Sequence, residues 1–267
     1  MKKFTFVLYF GESMLIILPM FPAKNKSQKK YPILVLYTIL VYGLQYTYSG
    51  VMVILGICLS YLRADTVLKF GQYLWAKILF LLMGKRVRII GIENIDRTRN
   101  HLLIANHTSI YDIPAIMTIV PDIAWIGRQY LLNIFGFGHL LKMLHYIPIE
   151  PKKPEQSRKS INRAIEHAKE GMTVAIFPEG TRTTTGKLSP FKKGFIHILR
   201  SADLDLVPIT LNGFFSLKPK NRFHIDPRVK LEIVIHPVIK NAEIRDLPKE
   251  EILKIAFQAI AENYQYR

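Results

Sequence analysis

The chain of 267 residues is 49% apolar and 21% charged, a balance that excludes intrinsic disorder as its main state. Its length fits one large domain, or one domain with a short appendage. With 37 Lys and Arg against 20 acidic residues, the formal net charge of +17 indicates an anionic partner: nucleic acid, an anionic membrane surface or a phosphorylated substrate. The single cysteine, Cys58, excludes an intramolecular disulfide and a multi-cysteine zinc site, and its apolar surroundings predict a small buried side chain rather than a nucleophile.

An apolar segment opens the chain. Residues 4–21 are apolar apart from one threonine, one glutamate and one serine, and two lysines precede them. This resembles a signal peptide, yet no small-x-small cleavage site follows, so we expect the segment to be retained, with cleavage as the lesser alternative. The lysine-rich residues 24–30 are predicted to form a loop between two apolar runs, and such positive charge favours a cytoplasmic or headgroup-facing position.

The second apolar run, residues 31–62, carries no charged side chain over 32 residues. A membrane span needs about 20 apolar residues, so the run predicts either one tilted span or a shallow interfacial hairpin broken near residues 43–50. A pair of buried core helices is the lesser alternative. A single span would place the lysine-rich loop and the rest of the chain on opposite sides of the membrane, and this leaves the topology open.

Residues 66–83 place Lys69, Gln72 and Lys77 at helical spacing among apolar side chains. Such a helix can lie in the membrane interface with its lysines towards the headgroups, or it can pack on the main domain, and the sequence favours neither. We therefore expect residues 1–84 to form a membrane-associated helical region and residues 85–267 to form the main domain.

From Arg86 onward, short β-branched runs alternate with helical stretches. A helix is predicted over residues 155–170, ended by Gly171, and a last helix over residues 248–263. This alternation predicts a layered α/β domain in which helices cover a largely buried sheet. The predicted strands are residues 86–92, 101–105, 122–126, 146–149, 172–177, 206–211 and 229–235.

The first segment with candidate chemistry is Asn-His-Thr-Ser-Ile-Tyr-Asp at residues 106–112, directly after the predicted strand 101–105. His107 on the loop and Asp112 in the first turn of the next helix can meet. A carboxylate on one imidazole nitrogen fixes the tautomer and leaves the other nitrogen free to take a proton. This is the His-Asp half of a Ser-His-Asp triad, with a substrate hydroxyl in place of the serine. The alternative is a structural histidine beside an N-cap pairing of Ser109 with Asp112.

A second segment, Phe-Pro-Glu-Gly-Thr-Arg at residues 177–182, ends the predicted strand 172–177. Gly180 lets the backbone approach a ligand, adjacent N–H groups can hold a phosphate, and Arg182 can fork onto it. Residues 191–194, Phe-Lys-Lys-Gly, open a predicted helix and add two lysines and a positive dipole end. Taken alone, the segment could also be an ordinary turn with a surface arginine.

Together the two segments resemble the 1-acylglycerol-3-phosphate (lysophosphatidic acid) acyltransferases of the glycerolipid acyltransferase superfamily. The family's Asn-His-x4-Asp motif is matched by Asn106, His107 and Asp112, and its Phe-Pro-Glu-Gly-Thr-Arg motif is matched in full. The following Phe-x-Lys-Gly and Val-Pro-Ile motifs are also present, and the resemblance covers about residues 86–240. It implies a glycerol-3-phosphate acyltransferase-like α/β fold, with a mixed sheet flanked by helices, behind an apolar helical N-terminal membrane segment.

Two positions depart from the family pattern. The family's second motif usually ends with an arginine that helps to bind the acceptor phosphate, whereas here Pro-Ile-Glu at residues 148–150 is followed by Pro-Lys-Lys. A lysine supplies a point charge without bidentate geometry. The lysine that the family carries upstream of this motif corresponds to Arg128. Both departures bear on the acceptor more than on the acyl chemistry.

The resemblance implies an enzyme that moves a fatty acyl group from an acyl thioester to the free hydroxyl of 1-acylglycerol 3-phosphate, giving phosphatidic acid in phospholipid biosynthesis. The thioester is acyl-CoA or acyl-carrier protein, and no cofactor, metal or covalent acyl-enzyme is expected. The implied catalytic residues are His107, the base, and Asp112, which orients it. The implied substrate-binding residues are Glu179, Gly180, Thr181, Arg182, Lys193 and Arg128. The other histidines are expected to be structural.

Other acceptors stay open at this point: another lysophospholipid, a lyso-ornithine lipid or glycerol 3-phosphate. A catalytically silent adaptor for anionic lipids is an alternative of a different class, and the intact His107–Asp112 pair argues against it. A nucleic-acid role is disfavoured because the basic residues are interspersed and no recognition motif appears. The expected partners are membrane lipids, lysophosphatidic acid and the acyl donor. The expected location is the bacterial inner membrane, with the catalytic domain on the cytoplasmic face.

Overall fold

The computed structural model describes residues 9–10, 13–14, 32–120, 122–150 and 152–266. The predictions for residues 4–21 and 24–30 lie outside these residues, except that two short strands, β1 and β2, pair there in antiparallel fashion. The strands are β1 (Tyr9–Phe10), β2 (Ser13–Met14), β3 (Val87–Ile90), β4 (His101–Ala105), β5 (Ile123–Arg128), β6 (Ile147–Ile149), β7 (Thr173–Ile176), β8 (Asp205–Asn212) and β9 (Leu231–Ile235). The α-helices are α1 (Pro32–Tyr61), α2 (Asp65–Leu82), α3 (Asp112–Met117), α4 (Phe137–Met143), α5 (Pro154–Lys169), α6 (Gly194–Ala202), α7 (Phe214–Leu217), α8 (Asn241–Ile244) and α9 (Lys249–Ala261).

Strands β3 to β9 form a seven-stranded mixed sheet in the order β3-β9-β8-β4-β7-β5-β6. The five strands from β8 to β6 in this order run parallel to one another. β9 pairs antiparallel with β8, so β9 and its parallel neighbour β3 run the other way. Parallel strands need crossover connections, which helices supply here. The carboxyl ends of β4, β7 and β5 therefore meet at one edge of the sheet.

Successive side chains of a strand point to opposite sides of the sheet. The central strands are buried on both faces because a hydrophobic core covers each side. In β4, Leu103 joins the hydrophobic core that contains Phe80 of α2. Leu102 and Ile104 join the core on the other face, which contains Phe195 of α6. Burial on both faces explains why such strands are continuous apolar runs in the sequence.

The predicted fold class, a layered α/β domain with a mixed sheet flanked by helices, is confirmed. Each of the seven predicted strands overlaps one strand of the large sheet, and β4 has the predicted bounds. The predicted helices 155–170 and 248–263 are α5 and α9. Gly171 follows α5 with a φ of 87°, the left-handed conformation that favours glycine after a helix.

Helix α1 is unbroken, so the alternative of a hairpin broken near residues 43–50 is wrong. Gly43 and Gly50 lie inside the helix, and glycine keeps both backbone hydrogen-bonding groups, so the ladder continues through them. Half of the 30 residues of α1 are exposed and only four are buried, which also overturns the alternative of two buried core helices. Cys58 is exposed on this helix, so the prediction that it is buried is wrong. The buried residues of α1 are Thr38, Val41, Gln45 and Gly56.

Helix α1 lies along the α/β domain and contacts it with both halves. In the first half, the Thr38 hydroxyl accepts a hydrogen bond from the Ile225 N–H at 3.0 Å. In the second half, Gly56 faces Leu140 of α4, whose Cδ1 lies 3.0 Å from the position that a Cβ on Gly56 would occupy. The two ends of the helix are therefore held against the same body.

Helix α2 packs on the domain through the buried side chains of Ala76, Phe80 and Met83. Its outer face carries exposed apolar side chains, of which Phe70 and Leu81 are both 61% exposed, together with the exposed Lys69 and Lys77. Of the two alternatives for residues 66–83, packing on the domain is thus observed. Within the described residues, α1 is the helix that is long and apolar enough to cross a membrane. The division into a region 1–84 and a domain 85–267 stays a prediction.

Candidate active site

Three parallel strands bring the predicted site residues to one edge of the sheet. β4 leads into His107, β7 leads into residues 177–182, and β5 ends at Arg128. β7 lies between β4 and β5, so the three carboxyl ends are adjacent. In open α/β sheets, ligands bind outside the carboxyl ends of the strands, which makes this edge the candidate site.

Asn106 fixes the start of the catalytic loop. Its side chain is fully buried, its Nδ2 donates to the Leu211 carbonyl at 3.0 Å, and its Oδ1 accepts the Leu211 N–H at 2.7 Å. The ladder between β4 and β8 ends one residue earlier, at Ala105 and Ile209. Asn106 therefore extends the strand pairing through its side chain and sets the position of the next residue, His107.

His107 and Asp112 meet as the motif predicts. His107 Nδ1 lies 2.9 Å from Asp112 Oδ2, and Asp112 is completely buried. The same carboxylate oxygen accepts the N–H groups of Thr108 at 2.6 Å and Ser109 at 2.8 Å. Asp112 is also the first residue of α3, where a negative charge suits the helix dipole. One carboxylate thus folds the turn and orients the ring.

Ser109 pairs with Asp112 through its backbone N–H, but Ser109 is not the N-cap of α3. The residue at the N-cap of α3 is Tyr111, and no side-chain hydrogen bond caps this helix. The Ser109 hydroxyl instead donates to the Lys218 carbonyl at 2.8 Å, which joins the His107 loop to the segment that follows α7.

The imidazole of His107 is poised to accept a proton. Its ring stacks on Phe177, with centroids 4.0 Å apart and planes 12° apart. Because an ionised carboxylate only accepts hydrogen bonds, Nδ1 carries the ring proton and Nε2 keeps its lone pair. Nε2 has no hydrogen-bond partner in the described part of the chain, and the side chain is 17% exposed. A ring held in this way can act as a general base towards a bound hydroxyl.

The Glu179 carboxylate accepts hydrogen bonds from backbone groups of the catalytic loop and of Ser189. Its side chain is buried, Oε1 accepts the His107 N–H at 2.7 Å, and Oε2 accepts the Ser189 N–H at 2.9 Å. Burial raises the pKa of this carboxyl group, and the hydrogen bonds from His107 and Ser189 oppose that shift. Both oxygens are thus engaged with backbone groups. These contacts indicate that Glu179 positions His107, and the substrate contact implied by the motif stays a prediction.

Gly180 and the two lysines of the Phe-Lys-Lys-Gly segment are arranged differently from the expectation. Gly180 has a φ of 72°, and a Cβ there would lie 2.8 Å from Lys192 Nζ, so glycine leaves room for this ammonium group. Lys193 Nζ instead donates to Glu250 Oε1 of α9 at 2.5 Å, on the exposed surface. The structure therefore places Lys192, rather than Lys193, beside the loop that the sequence predicts to bind phosphate.

The remaining predicted residues lie at the same edge. Thr181 is exposed and Arg182 is half-buried in the loop after β7. The next residue, Thr183, donates its N–H to the His107 carbonyl at 2.9 Å, which holds this loop against the catalytic loop. Arg128 is half-buried, and its carbonyl accepts the Tyr146 hydroxyl at 2.9 Å.

Sequence reasoning gave no role to Lys218 and missed the stacking of Phe177. The carbonyl of Lys218 meets the catalytic loop at the Ser109 hydroxyl, across 109 positions of sequence, so no local pattern could have indicated it. Phe177 belongs to the recognised motif and directly follows β7. This position at the end of a strand is the one sequence feature that could have indicated its place beside the site.

Two histidines outside the motif make contacts within the domain. His236 Nε2 lies 2.7 Å from the Thr210 hydroxyl, and His101 Nε2 lies 2.9 Å from the Asp96 carbonyl. Within the described ranges, no group of three or more His, Cys, Asp or Glu side chains is arranged to hold a metal ion.

Comparisons with known proteins agree with this geometry. Residues 86–212 match the family model described as Acyltransferase. A chloroplastic 1-acyl-sn-glycerol-3-phosphate acyltransferase of Brassica napus is 29% identical over 219 residues, which cover 78% of this chain and 63% of that protein. The coconut (Cocos nucifera) protein of the same name is 35% identical over 155 residues, covering 57% of this chain and 49% of that one. The chain thus spans less than two thirds of the length of these two relatives.

A solved structure extends the agreement to the whole fold. The crystal structure of the 1-acyl-sn-glycerophosphate acyltransferase from Thermotoga maritima superposes with a TM-score of 0.74 at 26% identity, covering 85% of this chain and 93% of that one. Residues 86–212, which match the family model, include both motifs. Residues 86–212 therefore form a domain of the Acyltransferase family, and the chain resembles the 1-acyl-sn-glycerol-3-phosphate acyltransferases in sequence and fold.

Proposed function

We propose that this protein transfers a fatty acyl group from an acyl thioester to the free hydroxyl of 1-acylglycerol 3-phosphate and so forms phosphatidic acid for phospholipid biosynthesis. The observation that carries the proposal is the His107–Asp112 pair, whose free Nε2 lies at the same sheet edge as Arg182. The names of the relatives from Brassica napus, Arabidopsis thaliana and Borreliella burgdorferi support this acceptor. The acyl donor is acyl-CoA or acyl-carrier protein.

The reaction needs one proton shuttle and no covalent intermediate. His107 Nε2 takes the proton of the acceptor hydroxyl while its oxygen attacks the thioester carbonyl carbon. The buried charge of Asp112 stabilises the resulting imidazolium ion. When the tetrahedral intermediate collapses, the carbon–sulfur bond breaks, the ester remains on the acceptor, and the thiolate takes the proton back from His107. Holding both substrates together makes the step effectively unimolecular.

The proposed activity is tested by incubating the full chain, in detergent or liposomes, with a long-chain acyl-CoA and lysophosphatidic acid. Release of free thiol and formation of phosphatidic acid should rise together. Monoacylglycerol, which has the same hydroxyl without the phosphate, serves as the matched acceptor control and should react poorly. If lysophosphatidic acid is inert while a lyso-ornithine lipid, another lysophospholipid or glycerol 3-phosphate reacts, the acceptor is wrong. Silence with every donor and acceptor would favour an anionic-lipid adaptor.

Arg182 is proposed to bind the acceptor phosphate. Replacing Arg182 by alanine should raise KM for lysophosphatidic acid by about 10- to 100-fold, because a charge-assisted hydrogen bond is worth about 1.5–3 kcal/mol. kcat should change much less, since His107 and Asp112 stay in place. Lys187→Ala removes an exposed cation from the same loop and is the matched control. Steady-state kinetics with an unchanged KM in Arg182→Ala would move the phosphate elsewhere.

We further propose that α1 and α2 hold the protein in one face of a membrane. Both halves of α1 contact the α/β domain, which favours a helix lying in the membrane surface over one that leads away across it. Both helices expose large apolar side chains, α2 adds the exposed Lys69 and Lys77, and the net charge of +17 attracts anionic lipids. Acyl thioesters are cytoplasmic substrates, so the proposed location is the cytoplasmic face of the bacterial inner membrane.

The apolar part of this attachment should resist salt. Surface electrostatics are screened at high ionic strength, whereas burial of apolar side chains is not. We expect isolated membranes to retain the protein through 1 M salt and carbonate washes and to release it in detergent. Release is measured by sedimentation and immunoblotting. Complete release by salt or carbonate alone would exclude embedded helices.

A further inference from the structure

The backbone of Lys218 is hydrogen-bonded to the catalytic loop. The Ser109 hydroxyl donates to its carbonyl at 2.8 Å, and Ser109 and Pro219 form an isolated antiparallel bridge. Ser109 is two residues after His107. The backbone of residue 218 is thereby held at a set position beside the base, although it comes from the segment after β8 and α7.

The segment that contains Arg182 is hydrogen-bonded to the same loop. Thr183 donates its N–H to the His107 carbonyl at 2.9 Å, so Arg182 is one residue from a direct contact with the catalytic loop. Lys218 and Arg182 are near enough to repel each other electrostatically. Two cationic side chains, from the segments that follow α7 and β7, thus lie near each other, and both segments contact the catalytic loop.

No acidic side chain neutralises this pair within the described ranges. Lys218 Nζ donates only to the carbonyl of Pro219, at 3.1 Å, and neither Lys218 nor Arg182 forms an ion pair. Arg222, the third cation near Lys218, donates to the backbone carbonyls of Leu217 and His224. A half-buried ammonium group without a counter-charge is unfavourable, and a bound anion would compensate for it.

We propose that Lys218 is a phosphate-binding residue that acts with Arg182 to hold the acceptor's phosphate group beside His107. This inference rests on the proposed function, because the phosphate is that of the acceptor lipid. A phosphate monoester is close to a dianion at neutral pH, so one arginine leaves part of its charge unpaired. Arg182 supplies a bidentate fork that orients the group, and Lys218 supplies a point charge that can follow it.

The electrostatics of Lys218 agree with this geometry. Burial, and then the nearby charges of Arg182 and Arg222, lower the pKa of Lys218 to about 8. The other titratable group that interacts with Lys218 is His224, whose pKa is lowered mainly by burial. Lys218 is therefore charged below about pH 8 and loses its charge above it. A bound phosphate dianion would favour the charged form.

The test compares the full-length wild type with Lys218→Met, Lys218→Arg and the control Lys220→Met, which removes an exposed lysine two positions away. Lys218→Met should raise KM for lysophosphatidic acid by about 10- to 100-fold, with kcat within about threefold. Lys218→Arg should restore most of the affinity, and Lys220→Met should match the wild type. Turnover of monoacylglycerol, which has no phosphate, should be unaffected by Lys218→Met.

The pH dependence of kcat/KM separates a phosphate-binding role of Lys218 from a structural one, because a structural role would leave this dependence unchanged. In the wild type, kcat/KM for lysophosphatidic acid should fall above about pH 8, as free Lys218 loses its proton. In Lys218→Arg this fall should shift to higher pH, since arginine stays protonated. The ionisation of the lipid phosphate is common to both proteins and cancels in the comparison. Identical profiles would overturn the inference.

Failure of this inference is distinguishable from failure of the proposed activity. A wild type that makes no phosphatidic acid contradicts the activity, and phosphate binding is then read from thermal unfolding with glycerol 3-phosphate as the probe. The wild type should gain stability with the probe, and Lys218→Met should gain much less. An equal gain in the two proteins, an unchanged KM in a folded Lys218→Met, or equal losses with both acceptors would each overturn the role of Lys218.

Discussion

Replacing His107 by alanine should lower kcat for acyl transfer by about 10²- to 10⁴-fold while the protein stays folded. The loss follows from the geometry, since Nε2 of this ring is the free basic atom at the sheet edge. The fold should survive because Asp112 still accepts the N–H groups of Thr108 and Ser109. Glu179 likewise still holds the backbone N–H of residue 107.

The measurement is single-turnover and steady-state acyl transfer, with urea unfolding as the check on stability. His197→Ala is the matched control, because it removes an exposed imidazole on α6 and should leave both quantities unchanged. KM for lysophosphatidic acid should change little in His107→Ala, since the phosphate is held by other residues. A kcat within tenfold of the wild type would show that another group takes the proton.

The strands and the catalytic pair could be predicted from the sequence because their signals are local. β4 is five consecutive buried residues, and a strand covered on both faces has to be an apolar run. Asn106, His107 and Asp112 lie within seven residues, so one turn is enough to bring the base and its carboxylate together. The strand that ends at Ala105 and the helix that begins at Asp112 are also indicated by this short stretch of sequence.

The uses of Glu179 and Lys193 could not be predicted, because they depend on partners distant in the chain. Glu179 meets His107 across 72 positions, and the loop that brings them together is set by the pairing of β4 with β7. Lys193 pairs with Glu250 of α9, 57 positions away in the sequence. No local sequence pattern indicates where α9 packs. A motif predicts which side chains are present at the site, and the tertiary structure decides which of them face the ligand.

Asp112 is the residue at which the catalytic and the structural predictions coincide. His107 Nδ1 and the N–H groups of Thr108 and Ser109 all converge on its Oδ2. The other oxygen, Oδ1, receives only the Thr108 hydroxyl, at 3.4 Å. An asparagine can therefore place its carbonyl oxygen where the three donors meet and direct its amide N–H at the Thr108 hydroxyl, which can accept.

Replacing Asp112 by asparagine should then remove the negative charge while it preserves the turn and the tautomer of His107. Two unit charges about 4 Å apart at an effective dielectric constant of about 20 interact by about 4 kcal/mol, an upper bound for a fold-change of about 10³. We expect kcat to fall by about 10²- to 10³-fold, because the imidazolium ion loses its counter-charge. Stability should fall little, whereas Asp112→Ala leaves two buried N–H groups without acceptors and should unfold more readily.

The comparison of Asp112→Asn with Asp122→Asn separates charge from orientation. Asp122 is paired with Lys69 on the surface, so its replacement changes the net charge equally without touching the site and should leave kcat unchanged. ¹⁵N chemical shifts of the His107 ring should show the proton on Nδ1 in both the wild type and Asp112→Asn. If Asp112→Asn keeps that tautomer and a near-normal kcat, Asp112 only orients the ring, and the charge of the buried carboxylate contributes little to proton transfer. If the His107 tautomer changes in Asp112→Asn, the loss of activity is explained by the lost orientation of the ring rather than by the lost charge.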